Sequence, residues 1–292
     1  MPHRFIVIIA KRNINYMKCL LTALCLFSFS IASFSQDRMF AYTYQTNVLN
    51  KGDFDLEFQN ELRTGKVGAY SPYVFGQHLD QRLELEVGLG KKVQTSFYLN
   101  SERFDYADTS STGLNQQLKL SFSSEWKWKL ADPVANGIGL TLYEELEFGG
   151  SNVEFETKVI IDKRWQNDLI AFNVVSKYEI EKEIARVDNV TKADWTNNSP
   201  VELYFGYMHF FKPEMGYGLE ISNKNDITKE NGWMNSVWFA GPAFHASVEK
   251  FFINISALPQ LVNLHKTIAA PGSRDLNDFE ALEVSVLAGY SF

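Results

Sequence analysis

Apolar and polar residues alternate along the chain in segments of roughly ten residues each. In DFDLEFQNELR (residues 53–63), Phe54, Leu56 and Phe58 share one face, and charged or amide side chains share the other. The segment HLDQRLELEVGL (residues 78–89) repeats this arrangement. A period of two residues is typical of β-strands that have one apolar and one polar face. Because no segment shows a convincing period of 3.6 residues, the sequence predicts an all-β fold.

About twelve strands follow from this alternation, an even number as bacterial membrane barrels require. The connections between them alternate between long and short, so short turns fall on one rim and long loops on the other. This pattern predicts a single antiparallel up-and-down transmembrane β-barrel with short periplasmic turns and longer extracellular loops. The predicted strands cover residues 53–65, 76–89, 91–104, 114–130, 136–149, 152–164, 167–182, 199–211, 215–225, 232–240, 243–257 and 279–292.

Three places interrupt the regular pattern. The pair Gly241-Pro242 predicts a short turn between the last two strands before the C-terminal one. The apolar phase of strand 243–257 shifts around Glu249–Lys250, which predicts a β-bulge there. Glu144 falls on the apolar side of its strand, where a bulge or a shifted phase is expected rather than a carboxylate in lipid.

The chain ends in ALEVSVLAGYSF (residues 281–292), in which alternate residues are apolar up to Phe292. Aromatic residues belong in the interface belt of a membrane protein. The tail resembles the C-terminal assembly signal of bacterial outer-membrane β-barrels, with Tyr290 and Phe292 at the matching positions. This resemblance implies that the barrel-insertion machinery recognises the tail.

A basic residue, an apolar run and small residues follow one another in MKCLLTALCLFSFSIASFSQ, which ends at Gln36. This order predicts a cleavable secretory signal peptide with its cut near Ser35–Gln36. Met17 is an alternative start, and a retained membrane anchor is the alternative interpretation of the apolar run. The predicted domains are a signal peptide (1–35), an N-terminal periplasmic segment (36–52) and an outer-membrane β-barrel (53–292).

The chain has 28 basic and 35 acidic residues and a mean hydropathy of -0.20. Removing residues 1–35 removes four bases and no acid, which leaves 24 bases against 35 acids, a balance of -11. An acidic chain of this kind is not expected to bind nucleic acid, because such binding requires basic patches. Both cysteines, Cys19 and Cys25, lie in the predicted signal, so no disulfide or thiol chemistry is expected in the mature chain.

Three stretches of the chain resemble uncharacterised porin-like β-barrels from the outer membranes of Bacteroidota. They are AYTYQTNVLNKGDFDLEFQNEL (41–62), LDQRLELEVGLGKKVQTSFYLN (79–100), and WFAGPAFH (238–245) followed by LPQL (258–261). The similarity to the barrel family linked to a phenol-degradation pathway is more distant. The resemblance covers most of the mature chain and implies location and fold. Its motifs are structural, and they carry no catalytic residue that can be transferred.

The polar strand faces are expected to line the barrel lumen, because lipid requires apolar outer faces. Acids outnumber bases about two to one on these faces, and a negative lumen concentrates cations. The alternative is an internal ladder of salt bridges that fills a narrow barrel. Inward tyrosines and Trp238 would narrow the path further. The candidate lumen-facing residues are Glu57, Glu61, Arg63, Asp80, Arg82, Glu84, Glu86, Tyr98, Lys119, Glu125, Lys127, Tyr143, Glu145, Glu154, Glu156, Lys158, Lys177, Glu179, Glu202, Tyr204 and Glu220.

The sequence predicts no catalytic, cofactor or metal site. Carboxylate pairs such as Glu145 and Glu147 suit calcium, but any charged strand face produces their spacing. His245 and Ser247 share a strand face and would be the catalytic pair of an outer-membrane lipid hydrolase, the enzymatic alternative. A nucleophile also needs an oxyanion site, and no motif indicates one.

The function predicted from the sequence is that of a porin-like channel, not an enzyme, for passive passage of small solutes or ions. The acidic lumen favours cations, and the expected partners are outer-membrane lipids, small solutes and the insertion machinery. A plugged binding or structural barrel, an apolar-ligand transporter and a secreted β-sandwich are the alternatives. The long connection 258–278 is expected to cover or enter the outer mouth, with a plain surface loop as the alternative.

Overall fold

The structure is a computed structural model that describes residues 38–66, 73–108, 114–187, 190–229, 231–266 and 271–292. The predicted signal peptide lies outside the described residues. Fifteen strands and one short helix make up the regular structure of the described part. Twelve of these strands close into an antiparallel barrel with almost no helix, which confirms the predicted fold class and strand number.

Three short or peripheral strands, β8, β11 and β12, lie outside the ring of twelve. The bounds are β1 Phe54–Lys66, β2 Tyr73–Gly88, β3 Val93–Asp108, β4 Leu114–Ala131, α1 Pro133–Asn136, β5 Gly139–Gly149, β6 Asn152–Trp165, β7 Asp168–Val187, β8 Val190–Asn198, β9 Val201–Lys212, β10 Met215–Asn225, β11 Ile227–Thr228, β12 Gly232–Trp233, β13 Val237–Val248, β14 Phe251–Asn263 and β15 Leu282–Ser291.

The barrel closes through two pairings. The first strand pairs with the last, from Asp55 opposite Ser291 to Thr64 opposite Leu282. Strand β7 pairs with β9 past the intervening β8. Every described strand of the ring therefore has a hydrogen-bonded neighbour on both sides, as a sheet in lipid requires.

Short turns and long connections lie on opposite rims, as the sequence predicts. Both ends of the barrel, Phe54 and Ser291, lie on the short-turn rim. The helix α1 is part of that rim and begins at Asp132, whose carboxylate accepts hydrogen bonds from two backbone N–H groups of the first turn. No helix in the described ranges is long and apolar enough to cross a membrane.

The predicted turn at Gly241-Pro242 is wrong. Strand β13 runs straight through this pair, and the turn lies at Glu249–Lys250, where a bulge was expected. Glu249 adopts a left-handed φ of 56° in that turn. A glycine is required inside the strand, because a Cβ on Gly241 would lie 1.8 Å from the carbonyl oxygen of Ala257. A Gly-Pro pair usually indicates a turn, but here the glycine allows two neighbouring strands to approach each other closely.

The outer face of the barrel is apolar and carries exposed Leu, Phe, Val and Trp side chains on most strands. Glu144 is an exception, and the expected bulge or phase shift there is wrong. The pairs around Glu144 are regular, with Trp126 opposite on one side and Thr157 on the other, and the register shift of β4 lies further along, between Lys129 and Ala131. The Thr157 hydroxyl donates a 2.8 Å hydrogen bond to the Glu144 carboxylate. This bond offsets part of the cost of an outward carboxylate.

Two predicted long connections are partly regular structure. The connection 183–198 contains the end of β7 and all of β8, which pair with each other from Glu179 opposite Asn198 to Val187 opposite Val190. The connection 258–278 begins six residues later than predicted, because β14 continues to Asn263. Both extensions lengthen the barrel wall on the long-loop side.

Candidate functional site

The N-terminal segment forms a plug, residues 38–50, inside the barrel. It contacts β10, β7, β6 and finally β3, where the backbone N–H of Leu49 donates a 2.7 Å hydrogen bond to Gln94. Strands β3 and β10 lie six positions apart in the ring of twelve, so the plug spans the lumen. The strand residues that hold it lie near the short-turn rim. The sequence predicts an N-terminal periplasmic segment for residues 36–52, and in the structure residues 38–50 of this segment lie inside the barrel.

A single carboxylate on β10 holds the centre of the plug. Glu220 is fully buried and accepts hydrogen bonds from the backbone N–H groups of Ala41 (3.3 Å), Tyr42 (3.0 Å) and Thr43 (2.7 Å). The Ser256 hydroxyl on β14 donates to the same carboxylate. Four donors around one carboxylate form a strong set of charge-assisted hydrogen bonds.

Two further strand side chains bind the plug backbone. The Asn173 side chain on β7 accepts a 2.7 Å hydrogen bond from the N–H of Tyr44 and donates a 2.9 Å bond to the carbonyl of the same residue. The Asp162 carboxylate on β6 accepts from the backbone N–H (3.2 Å) and the hydroxyl (2.7 Å) of Thr46. The plug thus has no regular secondary structure, yet lumen side chains satisfy several of its buried backbone groups.

An apolar anchor fixes the start of the plug. The Phe40 ring is fully buried, and a Cβ on Gly206 would lie 2.8 Å from it. The ring fits only because position 206 has no side chain. Phe40 packs into a cluster formed by Leu169, Ala171, Met208, Phe210 and Ala243.

Cations surround the aromatic ring at the middle of the plug. The Tyr44 ring lies 3.9 Å from the guanidinium carbon of Arg38, 4.2 Å from the ammonium of Lys158 and 4.9 Å from that of Lys127. Both lysines also pair with wall carboxylates at 2.7 to 2.9 Å. These contacts connect the plug to the charged wall through cation–π and ionic interactions.

The structure places the candidate lumen residues on the inner face, where many form ion pairs. Arg82 lies 2.6 Å from Glu145, and Lys177 lies between Glu154 (3.5 Å) and Glu156 (3.4 Å). The candidates in the short-turn half, around the plug, are Glu57, Glu84, Glu86, Tyr98, Glu125, Lys127, Tyr143, Glu145, Lys158 and Glu220. Those nearer the long-loop side are Glu61, Arg63, Asp80, Arg82, Lys119, Glu154, Glu156, Lys177, Glu179, Glu202 and Tyr204.

A vestibule of about 1040 Å³ lies between the plug and the long loops. Nine acids and five Lys or Arg residues line it. Burial raises the pKa of the Glu280 carboxyl, but Lys224 and Arg63 outweigh burial and bring this pKa to about 2. Glu280 is therefore ionised at neutral pH. Its neighbour Phe279 packs inward against Phe239, so the end of the long connection enters the mouth of the barrel.

Trp238 and His245 lie on opposite faces of strand β13. Trp238 does not face the lumen; Phe239 does, since it is fully buried in the cluster with Leu258 and Phe279. His245 faces the interior, where its Nδ1 lies 2.7 Å from the Oδ1 of Asn254, a plug-contacting residue.

The candidates from the sequence do not include several residues that bind the plug backbone or its ring, among them Gln94, Asn173 and Gly206. A usable signal is present in β7. The stretch LIAFNVV (residues 169–175) is apolar on both faces apart from Asn173, which a water-filled lumen does not explain.

The barrel is similar in fold to solved outer-membrane proteins. The COG4313 outer membrane channel from Pseudomonas putida F1 has a TM-score of 0.60 and 10% sequence identity, with 85% of this chain and 98% of that chain covered. The beta domain of the Bordetella autotransporter BrkA has a TM-score of 0.51 and 9% identity, with 82% and 99% covered. These similarities show the fold alone, which is that of outer-membrane barrels.

The sequence comparisons identify a family, but they assign no activity to it. The profile described as "Family of unknown function (DUF6662)" matches residues 32–292. No protein with curated annotation matches the chain.

Proposed function

Because the chain belongs to this family of unknown function, DUF6662, we propose its activity from the lumen itself. The protein is a porin-like channel of the outer membrane for passive passage of small solutes or ions, and its own N-terminal plug limits the passage. The observation that carries this proposal is the polar lumen, which divides into a vestibule of about 1040 Å³ and a short-turn half occupied by the plug. A solute that enters the vestibule would cross only when the plug moves.

The charge of the vestibule supports a preference for cations. Nine acids face five Lys or Arg residues in its lining. Clefts lined by one sign of charge raise the local concentration of the opposite ion by about tenfold or more. Ion pairs such as Lys119–Glu181 (3.2 Å) cancel part of this field, so the unpaired excess of acids sets the selectivity.

The route to the membrane is part of the same proposal. Residues 1–35 act as a cleavable signal peptide, and Tyr290 and Phe292 act as the tail that the insertion machinery reads. Their rings lie on the outer face of the barrel end, 5.2 Å apart in an edge-on arrangement, where an interface belt belongs. An origin in Bacteroidota and the absence of enzymatic activity belong to this proposal as well.

We expect a cation-selective reversal potential for the purified barrel in a planar bilayer under a KCl gradient. Replacing the vestibule acids Glu154, Glu179 and Glu202 together by glutamine would move this potential towards zero, because the lining would then hold six acids against five Lys or Arg residues. The matched control is Glu144→Gln, which removes a carboxylate from the outer face and would leave the potential unchanged. An anion-selective wild type, or a control that shifts as much as the triple variant, would contradict the proposed preference.

A plugged binding or structural barrel is the second candidate, and the extensive hydrogen bonding of the plug favours it. One experiment distinguishes this second candidate function from the channel function. A folded barrel whose plug is removed and which still passes no ions would support the binding or structural role.

A further inference from the structure

Three potential metal ligands meet on the vestibule wall. His78 and Asp80 are two residues apart on β2, so their side chains point to the same face. Glu102 lies on β3 directly opposite Asp80 in the strand register. One ligand atom from each of the three residues lies within 4.8 Å of the other two. The group therefore combines one imidazole and two carboxylates from two paired strands.

Neighbouring side chains hold two of these ligands in place. The His78 ring stacks on the ring of Phe104, its cross-strand partner, with centroids 4.0 Å apart and planes 24° apart. Arg63 binds the Oδ2 atom of Asp80 at 2.8 Å, which orients the carboxylate and leaves Oδ1 for another partner. Residues that orient metal ligands in this way are a regular part of metal sites.

The two oriented ligand atoms converge on each other. The Nε2 atom of His78 lies 2.5 Å from the Oδ1 atom of Asp80. Both atoms are buried, and each is the ion-pair partner of the other. A divalent cation that takes the place of the proton in this contact would be held by both atoms and by the Glu102 carboxylate, which lies within reach.

We propose that His78, Asp80 and Glu102 bind a divalent metal ion of the type that prefers imidazole and carboxylate ligands, with zinc as the representative. Three protein ligands leave at least one coordination position open. His78 and Glu102 both line the vestibule, so this position faces the cavity. The positive charge of Arg63 repels the ion. The negative charges of the two carboxylate ligands and of the other vestibule acids outweigh this repulsion. This site does not depend on the channel function.

The matched control comes from the other side of the barrel wall. His209 on β9 lies 3.0 Å from Asp168 through its Nδ1 atom, which is also a histidine–aspartate pair. In the part of the chain that the structure describes, no second carboxylate completes a group of three with it. A pair of this kind offers only two ligands, so we expect it to bind zinc much more weakly than the group of three does.

The test is a zinc titration by calorimetry on the untagged barrel in detergent, after treatment with a chelator. We expect saturable binding of one ion per chain, weakened more than about tenfold by His78→Ala and by Glu102→Gln, since loss of an orienting residue alone has an effect of that order. His209→Ala would keep the wild-type affinity. Heat-modifiable mobility on a gel shows that each variant is folded. Absence of saturable binding to the wild type, or binding that persists in both site variants, would overturn the proposal, as would loss of binding in His209→Ala.

Discussion

Replacing Glu220 by alanine is expected to release the plug and to raise the ratio of open to closed channels about a hundredfold. The change leaves three backbone N–H groups of the plug and the Ser256 hydroxyl without their shared acceptor. A buried donor that loses its partner costs about 1–3 kcal/mol. Water that enters the space reduces the total, so we take about 3 kcal/mol, which corresponds to a factor on the order of one hundred.

The measurement for Glu220→Ala is the open probability of single channels in planar bilayers. The matched control is Glu202→Gln, which alters a lumen carboxylate that accepts from Tyr204 rather than from the plug. We expect the control to keep the wild-type open probability. Equal gating in Glu220→Ala and wild type would show that this carboxylate does not retain the plug.

A leucine at position 206 is expected to expel the anchoring ring and to open the channel to a similar extent. Its Cβ alone would lie between 2.8 and 3.0 Å from three atoms of the Phe40 ring, so ring and side chain cannot both occupy the site. Full burial of a phenylalanine is worth about 1.5–3 kcal/mol. That stabilisation of the plugged state is lost when the ring leaves.

A double-mutant cycle separates this steric effect from damage to the barrel. Phe40→Ala removes the ring and opens the channel by itself, and Gly206→Leu should then add little in the double variant, because nothing remains to collide. The readout is again the open probability, with heat-modifiable mobility as the folding check. Additive effects of the two changes would mean that Gly206→Leu acts through the strands and not through Phe40.

The barrel was predictable from the sequence because its determinant is local. One face of each strand contacts lipid, so apolar residues such as Leu56 alternate with polar residues such as Glu57 along the strand. The same logic explains why Leu287, which breaks the alternation of the C-terminal tail, is buried and points inward. The turn at Glu249–Lys250 was not predictable in this way. Its residues carry no turn signal, whereas Gly241-Pro242 carries a strong one and lies within a strand.

The plug was not predictable because its contacts are not local. Glu220 binds backbone N–H groups 177 to 179 residues earlier in the chain. Any residue except proline could supply such an N–H group, so the sequence of the plug does not reveal the contact. An inward carboxylate gives the same sequence pattern whether it meets water, a lysine or a plug. The apolar inner faces of β7 and β9 and the glycine at position 206 are the sequence features that indicate a ring inside the barrel.

The most direct test of a channel limited by its own plug is the single-channel conductance of a chain that lacks residues 38–50, compared with the full chain in the same bilayer. The account predicts rare, small, cation-selective steps for the full chain. For the shortened chain it predicts frequent steps that are several-fold larger, because the vestibule then continues to the short-turn rim. Equal conductance of two folded barrels would contradict it, since the segment across the lumen would then not limit the passage.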